Sequence, residues 1–518
     1  VSGTAPAGPA AVPDVDRLGR VHLVGVGGAG MSVVARLLAA RGVAVQGSDA
    51  AATPALEALR ADGVQVWVGH DAAHVVAADG AARVDTLVVS SAVRETNPEL
   101  AAARGAGVRV LHRSQALAAL MRDRRAVAVA GAHGKTTTSA MVATVLRECG
   151  VDASFAIGGT VRVRAADGTE TAVPGGHLGT SDVLVAEADE SDGSFLNYAP
   201  TVAVVTNVEP DHLDHYGTTE AFEQAFVRFA AQITPDGTLV ACADDPGSAA
   251  LAATHRAAGR AVVTYGLDDG ADVRVGSVVP GAGTVTAVLS GGPLGEAERE
   301  LRLDVPGAHN ALNAAAAVTT AVLLGADPGR AVAGAAAFVG TGRRFEERGR
   351  VAGVRVVDSY DHHPTEVEAL LRAARPVAGE GRVLALFQPH LYSRTRIFAD
   401  RFAAALALAD EVVVTGVYRA REDVDPDVSA RTITDRAERT RSGGLLRPVE
   451  DRVQAAHVIA ALARPGDLVL TVGAGDVTEL GPVVLADLAA RGLDDAGAAS
   501  PEPGVAGAAP GRGEETMG

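Results

Sequence analysis

The sequence predicts an α/β protein built on parallel sheets, and three observations carry that prediction. Short β-branched runs alternate with Ala/Leu/Arg helical stretches along most of the chain, the pattern of strand–helix–strand units. Two glycine loops each sit between such a run and a helical stretch. At 518 residues the chain has room for about three to four domains.

Taken in order, Arg20–Gly25 and Val43–Gly47 read as strands around a helix over Met31–Ala40, and Leu87–Ser90 as a further strand. Ala126–Ala130, Val183–Ala186, Val202–Thr206 and Leu239–Ala241 repeat the pattern, as do Val383–Phe387, Glu411–Thr415 and Leu468–Val472. The Arg/Asp-rich Met121–Arg125 and the Gly340–Arg344 turn set boundaries near 123 and 340, dividing the chain into 19–122, 123–340 and 341–491. Residues 1–18 and 492–518 are Ala/Gly/Pro/Ser-rich with almost no large apolar side chains. They bury too little to offset ordering entropy and are expected to be disordered tails.

Composition excludes several classes. Hydrophobic residues make up 47% and charged residues 21%, enough for a large core. The formal charge of −17 (46 − 63) argues against a nucleic-acid partner, which needs a basic face. Two distant cysteines, Cys149 and Cys242, exclude a disulfide framework and fit a reducing cytosol. No apolar run reaches the ~18 residues of a membrane helix, and the first twenty residues lack the order of a secretory signal. A cytoplasmic chain without membrane insertion is expected. Of the 46 basic residues, 45 are arginine and only Lys135 is lysine. A position that keeps lysine against that drift needs a compact ammonium rather than a planar guanidinium.

The chemistry is carried by loops at predicted strand ends. Gly25-Val26-Gly27-Gly28-Ala29-Gly30 follows a strand and opens a helix, where glycines admit a diphosphate and the helix terminus supplies amides. Asp49 ends the next strand and is placed to reach a ribose. The motif speaks for a nucleotide diphosphate, with a bare tight turn as the alternative, and does not say which nucleotide. Gly131-Ala132-His133-Gly134-Lys135-Thr136-Thr137-Thr138 follows the run 126–130. It lacks the first glycine of a full phosphate loop, since position 129 is Val129. It keeps the glycines, the lysine for β/γ-phosphates and a hydroxyl for Mg²⁺. Glu187-Ala188-Asp189-Glu190-Ser191-Asp192 and Thr206-Asn207-Val208-Glu209-Pro210-Asp211-His212 each trail a predicted strand. Hard oxygen donors predominate there, which favours Mg²⁺ over zinc. Asn310 and Asn313 share one helical face, and clusters at Arg343–Arg344, Asp358–His363 and Gln388–Arg394 suggest a site shared between domains.

With these motifs in place, the chain resembles the Mur ligases. GVGGAGMS, GAHGKTTT, EADESDGSF, TNVEPDHLDHY, GAHNALNA, GTGRRFE, DSYDHHPTEV, QPHLYSRTR and GAGD occur in family order over about residues 20–480. The resemblance implies three domains: an N-terminal Rossmann-like domain for a UDP-sugar, a central P-loop domain with a parallel sheet for ATP, and a C-terminal Rossmann-like α/β domain on the amino-acid side. It implies amide formation between the lactyl carboxylate of UDP-N-acetylmuramate and the amine of L-alanine through an acyl phosphate, a step of peptidoglycan precursor synthesis. The implied catalytic set is Lys135, Glu187, His212, His362, His390 and Arg394, with Thr136, Glu187 and His212 as Mg²⁺ ligands. ATP contacts fall to Gly131, His133, Gly134, Lys135, Thr136, Thr137, Asn310, Asn313, Arg343, Arg344 and Asp358. The UDP-sugar falls to Gly27, Gly28, Gly30, Asp49 and Ser91. A monomer or a homodimer is expected.

Sibling ligases that add later peptide residues use a carbamylated lysine, and this chain has none beyond Lys135. Ser359, Asp361 and Leu391 depart from the family's commoner pattern, Leu391 standing where arginine is frequent.

Overall fold

In the computed structural model, which describes residues 12–491 apart from 166, 421 and 438, the apolar runs become the strands of three mainly parallel sheets. Val202–Val205, Val383–Phe387 and Leu468–Val472 are buried along their whole length, as strands with both faces covered must be.

The first sheet runs Gln65–Val68, Val45–Asp49, Val21–Val24, Thr86–Val89, Arg109–His112 from edge to edge and is parallel throughout. Strand order reverses beside Val21–Val24, so the loop after it opens where such sheets take ligands. The strand expected at 43–47 lies at Val45–Asp49. Val43 is spent closing the preceding helix, its amide donating to Leu38 O at 3.0 Å beyond Gly42 at φ +83°.

Residues 12–18, expected within a disordered tail, pack against this sheet. Val15 and Leu18 are buried, Thr86 Oγ1 donates to Leu18 O at 2.7 Å and Arg122 pairs with Asp14 at 2.7 Å. Two anchored apolar side chains offset the ordering entropy that composition argued could not be met. The remainder of the two expected tails, 1–11 and 492–518, lies outside the described residues.

The central sheet has ten strands: Gly176–His177, Ser154–Ala156, Val183–Glu187, Arg125–Ala130, Val202–Val205, Thr238–Cys242, Ala261–Gly266, Val273–Pro280, Val285–Ser290 and Arg299–Leu303. It is parallel from Ser154–Ala156 to Val273–Pro280 and antiparallel at its margins. Alternation sorts its two faces. Val127 and Val129 meet helices Lys135–Glu148 and Ala308–Leu323, while Ala126, Ala128 and Ala130 meet the phenylalanines of helix Thr219–Ala231. Phe338–Thr341, Val161–Arg164 and Glu170–Val173 form a small antiparallel sheet. The last sheet runs Glu346–Val351, Val354–Ser359, Leu468–Val472, Val383–Phe387, Glu411–Val414, Arg447–Pro448, parallel except at its first pair. Among the described residues no helix is long and apolar enough to cross a membrane.

Polar pairs join the layers. Arg113 of the first domain reaches Asp189 of the second at 3.2 Å, and Asn197 Nδ2 donates to Ser114 Oγ at 2.7 Å. Between the second and third domains, Arg394 Nη2 donates to both carboxylate oxygens of Asp211, at 2.7 and 3.0 Å. The two side chains are only 4% and 5% exposed. Within the first domain Glu99 is wholly buried among His22, His70 and His74, at 3.4, 3.1 and 2.7 Å, and accepts from Ser48 Oγ at 2.6 Å. Burial alone would raise its pKa, but His22, Ser48 and His74 outweigh that and lower it to about 2.

Two predictions follow from these pairs. A carboxylate held low contributes stability that is complete above its ordinary value near 4.5 and fades as pH falls toward about 2. Glu99→Gln therefore lowers unfolding free energy at pH 7 by about 2 kcal/mol and flattens its fall with acid, read by urea titrations at several pH values. Parallel curves for variant and parent would show that Glu99 carries no such linkage. Arg394→Ala leaves Asp211 buried without its cation, a loss of about 3–5 kcal/mol at the domain junction. Small-angle scattering should then give a larger radius of gyration, and an unchanged radius with unchanged unfolding would refute the latch.

Candidate active site

Three strands of the central sheet end level with one another, and their loops meet. Glu187 pairs in register with Val129, and Val205 with Ala130. The loop after Ala130 is held from the side: Thr206 Oγ1 donates to His133 O at 2.5 Å, Asn207 Nδ2 to the same oxygen at 3.1 Å, and His133 N to Asn207 Oδ1 at 3.0 Å. Gly131 has φ +135°, and a Cβ there would lie 2.1 Å from Thr206 Oγ1, so only glycine fits. Lys135 starts the helix and folds back over the loop. Its Nζ donates to Gly131 O at 2.7 Å and Ala132 O at 3.2 Å and lies 2.9 Å from both carboxylate oxygens of Glu190. Burial opposes the ammonium, yet Glu190, Asp189 and Glu187 outweigh it and raise the pKa.

The acidic residues divide by position. Glu187 ends its strand and bridges two loops, accepting from Thr136 Oγ1 at 2.9 Å and Gly158 N at 2.8 Å. Glu190 is fully buried. His212, in left-handed backbone at φ +53°, brings Nε2 to 3.7 Å from Glu190 and 3.6 Å from Asp211. Thr136 and Glu187 thus meet directly, while His212 approaches Glu190, the carboxylate paired with Lys135. Asp189 reaches across to Arg113. Burial would raise its pKa, but Lys135 and Arg113 lower it to about 2.

A cavity of about 280 Å³ opens beside the phosphate loop, between the central and third domains. His133, Gly134, Thr137, Asn310, Asn313 and Arg344 line it. Asn313 accepts from Thr138 Oγ1 and donates to Asn310 Oδ1, both at 3.2 Å, fixing the amide pair against the loop. His133 lies 3.0 Å from Glu209 and 3.5 Å from Glu366 of the third domain. Burial would lower its pKa, but the two carboxylates raise it to about 9.

Third-domain residues fall on both sides of the expectation. Arg344 lines the cavity and stacks over Tyr360 at 4.9 Å. Asp358, expected beside a nucleotide, is instead fully buried in its own domain. It accepts from Thr471 Oγ1, Thr478 Oγ1 and Arg343 Nε at 2.7, 2.8 and 3.1 Å, so both its oxygens are engaged within the third domain. Arg343 is spent on Asp358 and Gly473 O and does not line the cavity. Side chains alternate along Val354–Ser359, which puts Asp358 on the face of Val354 and Val356 and not on that of Ser359, which lines the cavity. Ser359 and Asp361, two of the three departures, hydrogen-bond to each other and line the cavity. Burial and Glu366 push Asp361 up to about 6. His362 Nδ1 donates to Tyr360 O at 3.0 Å, and its ring meets His390 edge to face at 5.6 Å. His390 Nδ1 is 3.3 Å from Arg394 Nη1. Arg394, expected to act from the third domain on closure, is bound to Asp211 as described. Leu391 stands at φ +68° with its amide on Tyr418 O.

In the first domain Gly27 N donates to Asp49 Oδ2 at 2.9 Å, so Asp49 braces the loop with one carboxylate oxygen. A Cβ on Gly30 would lie 2.3 Å from Arg113 Nη1, and Gly28 forms the N-cap of helix Ala29–Ala40. Ser91 is exposed in the turn after Thr86–Val89. Sequence reasoning missed Arg113, Glu209 and Glu366. Arg113 follows directly on a strand and carries the only visible signal, an arginine at a sheet's carboxyl edge. Glu209 becomes meaningful when its loop reaches His133, and Glu366 only when the third domain meets that loop.

Comparison with known proteins agrees with this architecture. The Mur ligase family catalytic domain matches residues 20–125, the Mur ligase middle domain 129–321, and the Mur ligase glutamate ligase domain 343–475. The UDP-N-acetylmuramate–L-alanine ligase of Kineococcus radiotolerans is 60% identical, over 94% of this chain and 100% of its own. That of Paenarthrobacter aurescens is 51% identical over 92% and 98%. The crystal structure of the UDP-N-acetylmuramate-alanine ligase from Thermotoga maritima aligns with a TM-score of 0.71 at 29% identity, covering 91% of this chain and 99% of that one. A murein peptide ligase from Psychrobacter arcticus aligns at 0.65 and 25%, over 90% and 98%. With all three domain models matched in order along the chain, this protein belongs to the Mur ligase family.

Proposed function

We propose that the chain joins the lactyl carboxylate of UDP-N-acetylmuramate to the amine of L-alanine at the expense of ATP, in the cytoplasm, as a step of peptidoglycan precursor synthesis. The observation that carries this reading is the convergence of Lys135, Thr136, Glu187 and Glu190 at level strand ends. It is joined by the likeness to alanine-adding relatives along nearly their whole length. ATP occupies the cavity beside the phosphate loop, with Asn310 and Asn313 toward the base and Arg344 toward the phosphates. The UDP-sugar lies on the Gly27–Gly30 loop of the first sheet. Transfer of the terminal phosphoryl group to the carboxylate gives an acyl phosphate, and the amine displaces phosphate to form the amide.

Moving phosphoryl between anions requires positioning and countercharge more than covalent help. Lys135 supplies the compact positive charge; its ammonium rests on loop carbonyls and Glu190, contacts that phosphate oxygens can replace. Thr136 Oγ1 and the Glu187 carboxylate, 2.9 Å apart, form a hard-oxygen pair of the kind Mg²⁺ takes, and His212 approaches the neighbouring Glu190. These residues would hold Mg²⁺, which when bound offsets charge on the phosphates and the acceptor carboxylate. His133 and Arg344 stand where the third domain closes on the loop and exclude water from the reacting groups.

Phosphate release measured with ATP, Mg²⁺ and UDP-N-acetylmuramate should require L-alanine. Lys135→Ala should lower the rate by about 10³-fold or more, and Lys135→Arg should not restore it. Release that needs a preformed peptide in place of L-alanine would overturn the amino-acid assignment. Release that survives Lys135→Ala would overturn the assignment of the loop.

A further inference from the structure

His133, Glu209 and His363 meet at the junction of the phosphate loop and the third domain, a set that shares no residue with Thr136, Glu187 and His212. One donor atom from each, two imidazole nitrogens and a carboxylate oxygen, lies within 4.8 Å of the others. Glu209 Oε2 is 3.0 Å from His133 Nε2 and 3.9 Å from His363 Nδ1, and the two rings sit 4.5 Å apart. Donors on a four-coordinate zinc stand about 3.3 Å from one another, so shifts of an ångström or so complete the set.

The surroundings are those of a built site. His363 is 1% exposed, and neither of its ring nitrogens makes a hydrogen bond, an arrangement that costs stability unless something partners it. Glu209 is steered by Thr365 Oγ1, which donates to both carboxylate oxygens at 2.9 and 2.7 Å. Arg401 holds Oε1 at 2.6 Å, leaving Oε2 toward the imidazoles. Behind His133, Nδ1 faces Glu366 Oε1 at 3.5 Å, the carboxylate–imidazole relay that orients histidine ligands on metals.

We propose that His133, Glu209 and His363 form a transition-metal site of the Zn²⁺ or Co²⁺ class, bolting the phosphate loop to the third domain. Two imidazoles and one carboxylate with room for a fourth ligand suit these borderline ions and not Mg²⁺, which keeps to oxygen. The cation takes the place that the His133 proton holds toward Glu209. Because Glu209 and His133 belong to one domain and His363 to the other, binding stabilises the closed arrangement.

The test uses the full chain without nucleotide and Co²⁺ as the probe. Binding should produce the visible ligand-field bands of a low-coordinate nitrogen/oxygen site, and Zn²⁺ should displace them. His363→Ala should abolish the bands, and Thr365→Val, which keeps all three donors, should weaken binding about 10–100-fold. Glu187→Gln, in the separate oxygen pocket, should leave them unchanged. Zn²⁺ should also raise the thermal transition of the parent and not of His363→Ala. If His363→Ala fails to fold, Thr365→Val decides alone, and unaltered affinity there overturns the site. Bands that persist in folded His363→Ala, that vanish in Glu187→Gln, or a spectrum of six-coordinate Co²⁺ would each overturn it as well.

Discussion

Everything in the central domain depends on the levelling of parallel strands. Each crossover returns the chain in the same direction, so neighbouring strands deliver their carboxyl ends to one edge of the sheet. Glu187 opposite Val129 and Val205 opposite Ala130 place the phosphate loop, the acidic loop and the Thr206–His212 segment side by side. A shift of one strand by a residue would turn its side chains to the opposite face. Thr206 and Asn207 would then lose the carbonyl of His133, and Glu187 would lose Thr136. The site is a property of register before it is a property of any side chain.

On that edge the electrostatics are concentrated and mutually dependent. Glu190 has no exposure and Lys135 little, so neither charge is tolerable without the other. Asp189 extends the network to Arg113 of the first domain, and Asp211 extends it to Arg394 of the third. Two loops of the central domain, one after Val183–Glu187 and one after Val202–Val205, therefore reach the first and third domains.

Much of this was legible in the sequence. Buried parallel strands declare themselves as uninterrupted apolar runs, and Val383–Phe387 and Leu468–Val472 fall where the runs do. The two glycine loops, one carrying the isolated lysine, fall directly after strands Val21–Val24 and Arg125–Ala130. Half-buried strands such as Gln65–Val68 and the antiparallel margin from Val285 to Leu303 were not legible, because their mixed or alternating pattern is weak beside helical neighbours. Asp358 shows the limit at the site. A family motif gives a residue its address, but which face of the strand carries it, and whether Thr471 and Thr478 have already engaged its oxygens, is decided by packing from over a hundred residues away. Glu209 and Glu366 are the converse: ordinary surface-type acids in one dimension, and partners of His133 in three.

The chain's single lysine also has an analytical consequence. Lys135 is the only side-chain amine in 518 residues, and it is enclosed by loop carbonyls and Glu190. Amine-directed reagents, which scatter over the surface of most proteins, here meet one side chain, at the centre of the phosphate loop. Its acylation rate becomes a direct gauge of how often that loop opens, without any label having to be engineered into the protein.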